Sequence, residues 1–242
     1  MNIVSKADRQ IILDTETTGM NQSGGPVYEG HRIIEIGCVE VINRRLTGRH
    51  YHQYIRPDRL IDEEAISVHG ITNDFVADKP RFAEIASEFI EFIDGAEIVA
   101  HNASFDISFM DYEFSMLQPK GPKSEEICSI VDSLEIAKFL HPGQKNNLDA
   151  LCKRYGIDNS HRDLHGALLD AEILADVYLL MTGGQTKFNL NNEKAGQEGG
   201  GIRRLPQDRE KLKVIMASAD ELLKHEQRLD LVEKSGSCLW RG

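Results

Sequence analysis

The chain has 242 residues, of which 40% are hydrophobic and 28% charged, and a net charge of −11. That apolar share excludes collagen-like, mucin-like and wholly disordered chains, and the length suits one domain with a substantial core plus an appendage, or two small domains. No apolar run approaches the roughly 18 residues of a membrane span, residues 1–10 lack the apolar stretch of a secretory signal, and the four cysteines (Cys38, Cys128, Cys152, Cys238) form no CxxC pair, which argues against a zinc site or a disulfide framework and fits a reducing cytoplasm.

Strand and helix patterns alternate from the start. Residues 9–16 (RQIILDTE) read as a buried strand, 32–42 (RIIEIGCVEVI) as a second and 50–55 (HYHQYI) as a third. The Gly-, Asn- and Thr-rich stretch 17–31 reads as a loop. Pro80 opens a helix in which Phe82, Ile85, Ala86, Phe89, Ile90 and Ile93 follow helical spacing, and Gly95 closes it. A short strand is expected at 97–100, a helix over about 104–117 capped by Ser104, and a strand at 127–132. Helices are expected near 133–140, 147–155 and 164–181.

Residues 183–201 (GGQTKFNLNNEKAGQEGGG) have linker composition. Beyond them, 212–216 reads as a strand. Ser218 and Glu221 match a capping box, and Leu222, Leu229 and Val232 then mark one narrow helical face. The resulting division is a body at 1–182, a flexible linker at 183–201 and a small docking segment at 202–242 that is too short to support its own core. Charge divides similarly: residues 1–183 carry 17 Lys and Arg against 30 Asp and Glu, and residues 184–242 carry 11 against 9. An acidic body binds nucleic acid poorly unaided, because counterion release needs Lys and Arg. It can instead hold cations or receive substrate from a partner.

Asp14 and Glu16 stand two apart on the first strand, so both carboxylates point to one face. Like charges at a strand end repel, and a divalent cation resolves the conflict; a solvated strand end is the alternative. Asp106 falls in the first turn of a helix, where it either complements the dipole or joins such a site. His165 and Asp170 are five apart and converge only if His165 sits at or just before the helix start. Asp170 lies in an apolar stretch and needs a partner, whereas a lone His at a helix start is commonly structural. Four carboxylates and one His together are what two-metal phosphodiester hydrolysis requires, with Mg²⁺ or Mn²⁺ as oxygen-seeking ions and His165 able to take a proton near neutral pH.

The order Asp14-Thr15-Glu16-Thr17-Thr18-Gly19, Val68-His69-Gly70-Ile71, His101-Asn102-Ala103-Ser104-Phe105-Asp106 and His165-xxxx-Asp170 resembles the DEDDh 3′–5′ exonucleases. Within that family, 147–152, 164–171, 178–185 and 238–240 are similar to the proofreading subunits of bacterial replicases. The resemblance implies an α/β, ribonuclease H-like exonuclease fold with a mixed central sheet flanked by helices. It also implies that Asp14, Glu16 and Asp170 bind metal directly, that Asp106 holds the second of two cations, and that His165 is the general base. Thr17 and the backbone near Thr18 would meet the terminal nucleotide, Glu64 and His69 its sugar and 3′-OH, and Val68 and Phe105 the last bases.

The implied substrate is a single-stranded or frayed DNA 3′ end. Gln185, Phe188 and Leu190 resemble a peptide that docks into a sliding clamp, or are stray apolar residues in a linker. The tail, with Leu239 and Trp240, resembles a segment that binds the polymerase catalytic (alpha) subunit. A small accessory (theta-like) subunit on the body and a cytoplasmic bacterial setting at the nucleoid also follow from the resemblance. Rival readings are an RNA-trimming exonuclease of the same fold, which the four motifs do not exclude, and a catalytically silent scaffold between polymerase and clamp.

Overall fold

Alternation along the first strand builds a two-sided layer. The computed structural model describes residues 7–159, 164–183, 216–236 and 240, and the chain divides into two units, Met1–Thr186 and Lys187–Gly242. In the first unit β1 (Arg9–Thr17) sends Ile11 and Leu13 to one apolar core and Ile12 to the other, as a strand period of two requires. Its neighbour β2 (Ile33–Ile42) pairs antiparallel and places Gly37 opposite Asp14 and Glu35 opposite Glu16. A hairpin through Asn43 and Arg44, both at positive φ, leads to β3 (Arg45–Tyr54). β3 starts five residues before the expected strand, because 45–49 are exposed and carry no apolar alternation.

Strands β4 (Glu97–Ala100) and β5 (Ser129–Asp132) extend the sheet in parallel, giving the order β3-β2-β1-β4-β5. The sheet is therefore mixed, as expected. One face carries α3 (Phe82–Ile93) and α4 (Ala103–Ser115), packed through Phe89, Phe109 and Phe114. The other carries α6 (Ser133–Leu140), α7 (Leu148–Tyr155) and α8 (Ala167–Thr182). Each fully buried aromatic or aliphatic side chain in these layers contributes about 1.5–3 kcal/mol. Cys38, Cys128 and Cys152 are buried in the same cores.

Three short helices had no periodic signal long enough to predict. These are α1 (Glu63–His69), α2 (Asn73–Val76) and α5 (Ser124–Ile127). The first two cover a small core of Ile34, Ile61, Ile71 and Val76. The expected strand at 127–132 shortens to β5, since Ile127 closes α5, whose Ser124 amide and hydroxyl both donate to Asp111 Oδ1 (2.8 and 2.7 Å). Ser104 does not cap α4. Asn102 stands there at φ 71°, its amide donating to Asp132 Oδ1 at 3.1 Å.

In the second unit, α9 (Ala219–Ser235) starts at the expected capping box: Glu221 N donates to Ser218 Oγ at 3.3 Å and Ser218 N to Glu221 Oε2 at 2.7 Å. Residues 212–215 of the expected strand, the linker peptide with Gln185, Phe188 and Leu190, and Leu239 lie outside the described residues. Among the described residues no helix is long and apolar enough to cross a membrane.

Candidate active site

The end of β1 carries the chemistry because its apolar run stops there. Asp14 and Glu16 continue the face of Ile12, toward α8, while Thr15 continues that of Ile11 and Leu13, toward α4. Thr15 Oγ1 donates to Asp106 Oδ1 at 2.7 Å. Asp106 sits in the first turn of α4, 4% exposed, where its charge suits the helix N-terminus. Burial nevertheless pushes its carboxyl up to about 7, against the Thr15 hydroxyl and the Asp106 and Thr15 amides, with the Asp132 charge adding to the rise. A carboxylate this costly to ionise, beside Asp14 and Glu16, forms a site that a cation would relieve.

α8 brings the remaining pair. Asp170 is buried in its first turn, and His165 stands two residues before the helix, as their spacing demanded. His165 Nδ1 lies 3.1 Å from Asp170 Oδ2, with the histidine side chain 44% exposed. Ligand atoms of Glu16, His165 and Asp170 all lie within 4.8 Å of one another. Asp14, Glu16, Asp106, His165 and Asp170 line one cavity of about 290 Å³. Those five residues offer four carboxylates, one imidazole and no thiolate, a set that fits Mg²⁺ or Mn²⁺.

A second cavity of about 270 Å³ adjoins the first, sharing Glu16 and Phe105. Thr17, Glu64, Val68 and His69 line it, the last three from α1. His165 N donates to Val68 O at 3.2 Å, which ties the walls of the two cavities together. His69 Nδ1 accepts from Ile71 N at 3.0 Å, and its Nε2 is buried with no hydrogen-bond partner among the described residues. Burial lowers the His69 pKa, the Thr17 backbone opposes this in part and the His165 charge adds to it, so the neutral ring is favoured. Its unpaired Nε2 is suited to a sugar hydroxyl.

Thr18 is placed differently from the other expected residues. It is fully buried, its Oγ1 accepting from Arg32 N at 3.1 Å, and it lines neither cavity. Asn147, Leu148 and Asp149 line the first cavity and were not expected there; the helix start holds them, with Asn147 Oδ1 accepting from Ala150 N at 3.1 Å. Met20 and Gln22, in a loop without periodicity, line the second. His101, in the sequence only the start of a motif, both lines the first cavity and bonds through Nε2 to Asn146 O at 2.8 Å.

Comparison with known proteins identifies the family and the fold. A family described as "Exonuclease" (RNase_T) matches residues 11–178. DNA polymerase III subunit epsilon of Escherichia coli (strain K12) is 60% identical over 237 residues, covering 96% of this chain and 97% of that protein. The subunit of the same name from Haemophilus influenzae is 54% identical over 246 residues, covering 96% and 94%. Among solved structures, exonuclease X in complex with 5′-overhanging duplex DNA superposes with a TM-score of 0.55 at 30% identity, over 72% of this chain and 91% of that one.

Proposed function

The chain belongs to the exonuclease family, among the epsilon subunits of DNA polymerase III, and on that premise we propose how its cavity removes mispaired nucleotides from DNA 3′ ends. It is a metal-dependent 3′–5′ proofreading exonuclease, part of a bacterial DNA polymerase. The observation that carries the reading is the convergence of Asp14, Glu16, Asp106, Asp170 and His165 on one cavity.

Asp14, Glu16 and Asp170 would hold one divalent cation, and Asp106 with Asp14 a second; Mg²⁺ and Mn²⁺ both suit these oxygens. Bound there, such ions would acidify the attacking water and neutralise charge on the leaving oxygen. His165 takes the water proton. Asp170 holds its Nδ1, which leaves Nε2 as the accepting atom. Glu64 and His69 receive the terminal sugar in the second cavity, with Thr17 beside them. Val68, 48% exposed, and Phe105 pack on the last bases, a contact that reads no particular sequence and suits removal of any mispair.

A terminal base must leave its stack to enter this cavity, so frayed and mispaired ends are the preferred substrates. The body's 30 acidic against 17 basic residues support delivery of the end by a partner. The α9 face and Trp240 would dock on the polymerase catalytic subunit, and 185–190 on the sliding clamp, while the body would accept a small theta-like subunit. The setting is the bacterial cytoplasm, and we place the chain at the nucleoid-bound replisome. The test is digestion of a 3′-mispaired DNA primer, a matched primer and a matched RNA in Mg²⁺. The mispaired DNA should be shortened fastest. Equal rates on matched and mispaired ends, or faster trimming of RNA, would overturn the reading.

A further inference from the structure

Helix α8 carries Asp170 and follows His165, yet no side chain of its own caps its N-terminus. The first amides of a helix lack intrahelical acceptors, and an uncapped buried end is costly. Here the acceptor comes from the sheet: Glu35 Oε2, on β2, accepts from Ala167 N at 3.1 Å. Glu35 is only 2% exposed, and its other oxygen lies 2.7 Å from His52 Nε2 on β3. The His52 ring is itself seated edge-on against Tyr54, with centroids 4.9 Å apart.

Two residues along β2, Gly37 lets the helix come close, since a Cβ there would overlap the Ala167–Leu168 peptide. Glu35 and Gly37 face the same side and lie opposite Glu16 and Asp14 in the β1–β2 register. The strand that flanks the two β1 carboxylates therefore also seats the helix that brings the other two cavity groups.

We propose that Glu35, outside both cavities, is a positioning residue for catalysis: it caps the first turn of α8 and thereby fixes His165 and Asp170 against Asp14 and Glu16. His52 orients the Glu35 carboxylate toward that turn. The proposal rests on the reading of Asp170 and His165 as members of the metal-dependent site. Substitution of a group that orients a ligand commonly lowers metal affinity or activity by about 10–100-fold.

The experiment uses the full chain with Glu35→Ala, Glu35→Asp, Glu35→Gln and, as control, Asp170→Asn. Mn²⁺ affinity is measured by titration calorimetry, kcat and KM on single-stranded DNA, and melting by circular dichroism. Glu35→Asp keeps the charge but falls a methylene short of Ala167 N, so it remains informative if Glu35→Ala does not fold. Folded Glu35→Ala and Glu35→Asp should lose about 10-fold or more in Mn²⁺ affinity and kcat with KM nearly constant. Glu35→Gln, which keeps an acceptor oxygen, should recover most of both. Lower melting temperatures with parental kcat and Mn²⁺ affinity would make Glu35 merely structural and overturn the proposal. If instead Asp170→Asn leaves Mn²⁺ affinity and kcat unchanged, the reading of the site itself fails.

Discussion

Helices α8 and α9 are nearly equal in length, 16 and 17 residues, and opposite in how they are held. α8 buries ten side chains, leaves Glu172, Asp176 and Leu180 exposed along one stripe, and takes its cap from another element. α9 carries its own capping box and buries Leu229 alone among its described side chains, with Leu223 62% and Leu231 55% exposed. A helix that buries most of its side chains belongs to a core, whereas exposed leucines and an exposed Trp240 are what partner sites look like. The contrast is in keeping with the proposed division, chemistry in the first unit and docking in the second.

The comparison breaks most visibly at Asp14. Asp14→Ala should abolish hydrolysis in Mg²⁺ while the protein melts at the same or a higher temperature, because a repelling carboxylate is gone. Its capture by the polymerase subunit should be unchanged. Near-parental turnover would remove Asp14 from the site. Next in size, His165→Ala should lower kcat by roughly 10²–10⁴-fold and erase the acid limb of the pH–rate profile, since a general base acts only when neutral. Identical profiles in parent and variant would deny His165 that role.

Packing gives the third contrast. Phe109→Ala, in the core of the first unit, should cost about 3–5 kcal/mol in denaturant unfolding, against less than about 0.5 kcal/mol for exposed Leu223→Ala. Fourth, Trp240→Ala should weaken polymerase binding by about 2 kcal/mol, roughly 30-fold, with no effect on turnover. A surface plasmon resonance series reads this directly, and an unchanged Kd removes Trp240 from the interface.

The smallest expected effect is a pH dependence. Burial raises the Glu40 carboxyl, but hydrogen bonds from Arg9 (2.7 Å) and Thr47 (3.0 Å) outweigh it, and the folded pKa lies below the unfolded one. The stabilisation is therefore present above the unfolded carboxyl pKa and lost as pH falls through the folded one. Arg9→Ala should flatten that acid-side loss in melting curves recorded from neutral pH downward. An unaltered pH dependence would show that the pair contributes nothing.

Much of this was legible because local pattern and tertiary role agree. In β1 the apolar run, the period of two and the charged end all point the same way, so Asp14 and Glu16 could be set on one face before any fold was known. The five-residue gap from His165 to Asp170 could be met only by a histidine just ahead of its helix, and that is where it stands. Glu35 was illegible for the opposite reason. In sequence it is one residue of an alternating strand, and its partner Ala167 lies 132 positions away. α1, only seven residues long, has a C-terminal His69 whose unpaired Nε2 depends on α1 folding over Ile34 and Ile61. Ser104 lost the capping role because Asn102 adopts the left-handed turn and takes Asp132 as its acceptor.

The division of labour is tested most directly by single-turnover release of the 3′-terminal nucleotide from single-stranded DNA in Mg²⁺, comparing the whole chain with residues 1–183. The account predicts equal rates, both abolished by chelation, and polymerase binding by the whole chain alone. A shortened chain that has lost its cleavage rate, or that still co-elutes with the polymerase, would contradict it.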